Sequence, residues 1–219
     1  MPSVYAWIED SVGTTVVENA DISKDTASIA WSNAPLTSGD YTLKVKVQDF
    51  GDLESDVASF SFTKAAASFR YWRYADIVIT GTNGVMVANW RLYSGSSQSG
   101  TAYPPTMTDA TTPAPYVASS SFFYNATYAD WKAFDGSIAG TFWWTLGHNA
   151  EATYNDWLQI DLGAIETIQS MSFTTGNQAT YNASQFTIYA SNTGAFAGEE
   201  VVIGTFYPST TPQSTLNVG

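Results

Sequence analysis

The chain has 219 residues, of which 20 are Asp or Glu and only eight are Lys or Arg, giving a formal net charge of -12. Such a surface repels phosphate backbones and anionic lipids, which excludes nucleic acid and acidic membrane surfaces as favoured partners. The absence of cysteine excludes disulfide frameworks and thiolate metal sites. Aromatic residues, at 15%, outnumber charged ones, at 13%, and this balance favours an all-β fold.

The first strands form a small antiparallel unit. The run Tyr41 to Asp49 alternates apolar and polar residues, which predicts a half-buried strand, and Ala58 to Thr63 follows it at hairpin distance. Two earlier short strands are predicted at 4–8 and 27–31. The stretch 64–68 lacks both apolar bulk and turn residues, so we place a domain junction there, with one domain at 1–64 and a second at 65–219.

The second domain contains longer runs of β-forming residues. Strands are predicted at 69–80, 157–162, 168–173, 185–190 and 200–204, and the Ser, Thr, Gly and Pro content of 95–115 predicts an extended surface loop. Leu158, Ile160 and Leu162 share one strand face, Gly163 permits a tight exit, and Trp143 and Trp157 have the size of core anchors.

Four ordered blocks carry a family resemblance: Ala133-Phe134-Asp135-Gly136, then Thr141 to Trp143, then Trp157 to Gly163, and finally Phe186 to Ser191. Together they resemble the discoidin, or coagulation-factor C-domain, superfamily, which includes family 32 carbohydrate-binding modules. The resemblance implies a galactose-binding-like jelly-roll β-sandwich. In the same way, residues 69–84 look like the first strand of such modules in bacteriophage structural proteins.

Residues 39–63 resemble the end of an immunoglobulin-like or fibronectin-type sandwich. Fewer strands fit before Lys64 than the roughly seven of a standard sandwich, so this domain is either truncated or completed by another subunit.

The family resemblance also implies a structural calcium ion. Family members often hold calcium in the loop after the Ala-x-Asp-Gly turn, with a carboxylate supplied from near the C-terminus. Asp135, Ser137 and Thr141 match the loop positions, and Glu199 or Glu200 could supply the distal group. Oxygen-only ligands of this kind suit a hard cation. The alternative is an Asx-turn in which Asp135 caps its own loop.

The segment 143–156 combines flat aromatic rings with polar side chains, as a carbohydrate site requires. Trp144 is the stacking candidate, and the tyrosines at 124, 128 and 181 lie in neighbouring polar segments as rim candidates or ordinary strand-end aromatics. The hydrogen-bonding candidates within the segment are His148, Asn149, Tyr154 and Asn155.

No catalytic arrangement stands out: the chain has one histidine, no G-x-S-x-G elbow and no glycine-rich phosphate loop before a helix. The sequence therefore predicts a binding protein rather than an enzyme. No apolar run approaches the roughly 18 residues of a membrane span, and the first residues lack a signal-peptide pattern, so no membrane insertion is expected.

The leading hypothesis is a bacteriophage structural or adhesion protein, assembled into the virion in the host cytoplasm. Its partners would be a host-surface carbohydrate, other virion proteins, or both, and homo-oligomerisation stays open. One alternative is a carbohydrate-binding module of a bacterial extracellular protein or enzyme. A second is a purely structural cement or assembly protein with no sugar site.

Overall fold

The computed structural model describes residues 3–22, 39–48, 53–79, 81, 84–146 and 153–219. Two compact units divide between Ala66 and Ala67. Nearly all regular structure is strand, and every strand pair is antiparallel, so the predicted all-β class is confirmed. Within the described ranges, no helix has the length and apolar content needed to cross a bilayer.

Where unit 1 is described, its chain forms a four-stranded sheet. Its strands are β1 (Ser3–Asp10), β2 (Thr15–Ile22), β3 (Gly39–Gln48) and β4 (Ala58–Lys64), in the order β2-β1-β3-β4. The predicted hairpin is present, since β3 pairs with β4, with Tyr41 opposite Phe62. The predicted strand at 27–31 lies outside the described residues. An immunoglobulin or fibronectin relationship of this unit stays a prediction.

The described residues of unit 2 form eleven strands in two sheets. They are β5 (Ala67–Ile79), β6 (Met86–Tyr93), β7 (Ala102–Tyr103), β8 (Val117–Ser120), β9 (Trp143–Trp144), β10 (Thr153–Tyr154), β11 (Leu158–Ile168), β12 (Ser170–Thr175), β13 (Ala183–Ser191), β14 (Val201–Phe206) and β15 (Thr215–Val218). Short 3-10 helices span Ala126–Tyr128, Asp130–Phe134 and Ala179–Tyr181.

The sheets form a sandwich. One sheet has the order β14-β13-β5-β11-β8, with β10 also pairing with β5, and the other has the order β15-β12-β6-β7, with β9 also pairing with β6. Alternate residues of a strand point to the same face, and aromatic side chains are prominent among those that point into the core between the two sheets. Tyr74 of β5 stacks on Phe173 of β12 at 5.2 Å and lies 4.7 Å from Phe186 of β13.

Two details at β11 and the residue before it differ from the sequence prediction. The strand does not end at Gly163 but continues through a register shift to Ile168, with Gly163 in the left-handed region at φ 78°. A Cβ on Gly163 would lie 2.3 Å from Pro115, which makes glycine necessary there. Trp157 is not a core anchor, because it precedes the inward-facing Leu158 and is only half-buried. Trp143, in contrast, is fully buried as predicted.

Candidate functional site

Trp144 lies at the centre of an aromatic cluster. Its ring centroid is 4.9 Å from that of Tyr128, 5.1 Å from Tyr181 and 5.6 Å from Tyr124. Three of these rings, those of Trp144, Tyr128 and Tyr181, pack against the buried side chains of Met86, Ala88 and Phe142. We call Trp144 and the three tyrosines the aromatic cluster. Three segments that are distant in sequence therefore meet around the predicted stacking residue.

Local geometry sets the orientation of these rings. Alternation along β9 buries Trp143 in the core and turns Trp144 to the opposite face. The backbone N–H of Tyr124 donates to the Trp144 carbonyl at 2.8 Å, which fixes the approach of the 122–124 segment. Asn125 accepts from the N–H of Thr127 at 2.9 Å and so caps the 3-10 helix that carries Tyr128.

The rings of the cluster differ in how far they reach solvent. Trp144 is half-buried, and its indole Nε1 is enclosed without an acceptor in the part of the chain that the structure describes. Tyr124 leaves 48% of its surface exposed, and the adjacent Phe123 leaves 40%. Trp144 therefore forms the enclosed part of the cluster, and the ring of Tyr124 is the most exposed to solvent.

The remaining predicted ligand residues are not all gathered here. His148 and Asn149 lie outside the described residues. Tyr154 lies on β10, where its backbone pairs with Ile77 of β5. Asn155 lines a cleft beside Arg73 of β5, together with residues that do not belong to the aromatic cluster.

The loop 135–141, predicted to hold calcium, is organised by its own hydrogen bonds. The Asp135 carboxylate accepts from the N–H of Ser137 at 2.8 Å, which is the geometry of an Asx-turn. Ser137 Oγ in turn donates to the carbonyl of Ala139 at 2.8 Å. Thr141 Oγ1 is buried and has no hydrogen-bond partner among the described residues, the one feature that a cation would complement.

The distal carboxylates predicted for calcium act elsewhere. Glu199 accepts hydrogen bonds from the hydroxyls of Ser191 and Thr193 and from the N–H groups of Phe196 and Ala197, at 2.6 to 3.0 Å. These bonds hold the pKa of Glu199 far below its ordinary value. Glu200 accepts from the N–H of Gly198. Both residues therefore shape the turn between β13 and β14.

Two nitrogen donors, a guanidinium and a side-chain amide, reach the loop. A Cβ on Gly136 would lie 3.1 Å from Arg91 Nη2, so this positive charge is next to Asp135. From the C-terminal side, Gln213 Nε2 donates to the carbonyl of Ile138 at 2.6 Å. The described residues offer no group of three or more acidic or histidine side chains for a metal. One carboxylate facing an arginine does not fit calcium, whose affinity depends on ligand charge.

A comparison with known protein families gives a match within unit 2. Residues 132–218 match the family model of the NedA-like, galactose-binding domain. No curated protein and no solved structure matches the chain.

The match to the galactose-binding domain covers the loop 135–141, Trp144 and strands β11 to β15. It confirms the discoidin-like resemblance for this segment, while the bacteriophage relationship stays a prediction. Sequence reasoning missed Arg91 and Gln213, which reach the loop from β6 and from the segment before β15. No local pattern reports such long-range contacts.

Proposed function

We propose that unit 2 binds a carbohydrate at the aromatic cluster. The observation that carries the proposal is the convergence of three tyrosines on Trp144. Aromatic rings pack against the C–H faces of sugars, and phenol hydroxyls reach the sugar hydroxyls. The match of residues 132–218 to a family named for galactose binding supports the same ligand class.

Within this site, Tyr124 is the proposed stacking ring and Trp144 its support, because Tyr124 is about half exposed and Trp144 is enclosed by its neighbours. His148 and Asn149 follow the cluster closely in sequence and supply hydrogen-bonding groups for sugar hydroxyls. Their roles stay predictions. The proposed activity is binding rather than catalysis.

Titration calorimetry with galactose, preceded by a glycan array, tests the proposal. Tyr124→Ala is expected to weaken sugar binding at least tenfold, about 1.4 kcal/mol. The matched control is Tyr207→Ala, because Tyr207 is 58% exposed and outside the cluster. Circular dichroism of each variant separates lost binding from lost folding. Equal affinities for the two variants, or a glycan array with no retained sugar, would overturn the proposal.

The finer assignment to a bacteriophage particle is a proposal supported by the resemblance of residues 69–84 to phage modules. In that case the protein resides in the virion, and its glycan lies on the host surface. Mass spectrometry of purified particles tests this location. Neighbouring glycoside hydrolase genes would instead favour the bacterial extracellular alternative.

A second candidate is an assembly role without a sugar site, favoured by apolar residues on unit 1. Phe60 and Phe62 of β4 are 60% and 37% exposed, and β4 is the last strand in the described sheet order. Strands in this position offer backbone groups for pairing. Sedimentation of the protein with and without Phe60→Ser tests self-association, and a monomer in both cases would count against this role.

A further inference from the structure

A cleft separate from the aromatic cluster lies beside β5 and β13, bounded by the segment 155–157 that precedes β11 and by the turn between β13 and β14. It has a volume of about 250 Å³ and is lined by Arg73, Asp76, Asn155, Tyr189 and Glu200, with Trp157 and Phe196 as aromatic walls. None of these residues belongs to the aromatic cluster around Trp144. Pockets for drug-sized ligands run from roughly 300 to 1,000 Å³, so this cleft suits a smaller molecule.

Arg73 is fixed in position within the cleft. Its guanidinium lies 4.3 Å from the ring centroid of Trp157 and 3.8 Å from that of Phe196. Nε and Nη2 both donate to Gln159 Oε1, at 3.1 and 2.8 Å. These bonds use two of the five N–H donors of the guanidinium. A side chain held in this way presents a donor without further ordering cost.

The backbone around the cleft is held in uncommon conformations. Asp76 and Phe196 have φ values of 49° and 50°, a region that non-glycine residues rarely adopt. Asp76 is the extra residue at a register shift between β5 and β13, and this bulge directs its carboxylate to the Tyr189 hydroxyl.

The conformation of Phe196 is supported by the carboxylate of Glu199. This side chain accepts the N–H groups of Phe196 and Ala197, at 3.0 and 2.8 Å, and two hydroxyls of the same turn. Strained residues persist only where their surroundings determine them, and they concentrate at ligand sites. The strain at Asp76 and Phe196 therefore points to a preorganised surface.

The polar side chains that line the cleft determine which kind of ligand it can bind. A guanidinium donor, carboxylate acceptors on Asp76 and Glu200, and the amide of Asn155 can pair with neighbouring hydroxyl groups. The lining also includes Asp156, so it contains three carboxylates and one arginine, and its net negative charge disfavours an anionic ligand. We infer that this cleft binds a monosaccharide unit that is uncharged or bears a free amine, independently of the aromatic cluster.

Saturation-transfer NMR and calorimetry with glucose, glucosamine and glucuronic acid test the inference. Glucosamine and glucose are expected to bind, and glucuronic acid is expected to bind at least tenfold more weakly. Arg73→Met and Glu200→Gln are each expected to weaken glucosamine binding at least tenfold, and the second variant removes only a charge. Tyr207→Ala is the matched control and leaves this binding unchanged, because Tyr207 is exposed and lies outside both the cleft and the aromatic cluster. Tyr124→Ala disrupts the aromatic cluster alone and so shows which of the two sites binds the sugar.

The outcomes separate this cleft from the aromatic cluster. Binding that survives in Tyr124→Ala and is lost in Arg73→Met and Glu200→Gln supports the cleft even if galactose never binds at Trp144. Binding that is lost in Tyr124→Ala but kept in both cleft variants overturns the inference. Tighter binding of glucuronic acid than of glucosamine, or no binding of any of the three sugars, also overturns it.

Discussion

The side-chain amide of Gln213 donates a 2.6 Å hydrogen bond to the carbonyl oxygen of Ile138. The contact joins the segment before β15 to the loop 135–141, across 75 residues of sequence. The amide occupies one of the two lone pairs of this carbonyl oxygen, and Arg91 lies beside the same loop, so the loop offers a cation little net negative charge.

We therefore expect neither calcium nor chelator to change the stability of the protein. A ligand at 100 times its dissociation constant would add about 2.7 kcal/mol to the free energy of unfolding, which thermal unfolding detects easily. Unchanged midpoints in millimolar calcium and in EDTA are the expected result. In Gln213→Glu, which places a second carboxylate next to the Ile138 carbonyl of this loop, calcium is expected to raise the midpoint. A calcium-dependent rise in the unmodified protein would contradict this account.

The ion pair between Arg70 and Asp161 gives a pH-dependent prediction. Arg70 donates to both carboxylate oxygens, at 2.7 and 2.9 Å, and the N–H of Gly163 donates as well. Burial raises the pKa of Asp161, but these hydrogen bonds outweigh it, and the pKa lies below the ordinary value.

A lowered pKa stabilises the fold above the unfolded-state value near 3.9, and the contribution is lost as pH falls through the folded-state pKa. Arg70→Met is expected to lower the free energy of unfolding at pH 7, with the deficit shrinking in acid. Urea unfolding of both proteins, from pH 7 down to the acidic pH at which Asp161 is protonated, measures this difference in the free energy of unfolding. A deficit that stays constant with pH would show that Arg70 acts through packing alone.

Tyr189 and Asp76 give a prediction at the alkaline end. The hydrogen bond to Asp76, with burial, raises the pKa of Tyr189 to about 12. Asp76→Asn is expected to return it toward the ordinary value of about 10. Because the pKa of Tyr189 is raised in the folded state, its hydrogen bond to Asp76 stabilises the fold below pH 10. This contribution is lost as the pH rises through 12. Ring-carbon NMR of Tyr189 follows the titration, and an unchanged pKa in Asp76→Asn would refute the assignment.

The core contains a polar group whose removal is expected to stabilise the fold. Tyr74 is fully buried, and its hydroxyl has no partner among the residues described. Tyr74→Phe is expected to raise the free energy of unfolding by about 1 kcal/mol, since an unsatisfied buried group costs about 1–3 kcal/mol. Tyr93→Phe is the matched control, because the Tyr93 hydroxyl bonds to Ser172 Oγ at 3.1 Å, and it should lower stability by a similar amount. Chemical denaturation measures both; a loss of stability in Tyr74→Phe would mean that the hydroxyl is satisfied.

β11 shows why a strand with one buried face can be predicted from sequence. Leu158, Ile160 and Leu162 alternate with half-buried residues, so their pattern reports the face directly. β6 gives no such alternation, because six of its eight positions are buried, on both faces, and only Asn89 and Tyr93 are half-buried. The two-residue strands β7, β9 and β10 are too short to show any period.

The candidate site was predictable only in part. Trp144 could be singled out, because a flat ring among polar residues is a local signal, but its enclosure by Tyr128 and Tyr181 depends on how distant loops return to the sheet. Glu199 looked available as a ligand in the sequence, yet the nearby N–H groups satisfy it within its own turn. Arg73 was missed because its stacking between Trp157 and Phe196 arises only in the folded sheet.

The alternation along β5 has a practical consequence for protein engineering. Trp72, Tyr74 and Ile77 are fully buried and carry the core, while Arg73 and Asp76 lie on the opposite face and line the cleft. Side chains on the two faces are separated by the thickness of the sheet, so substitutions on one face add nearly independently to those on the other. Ligand preference at the cleft can therefore be redesigned on a fixed scaffold, by changing outward positions of a strand whose inward positions are left alone.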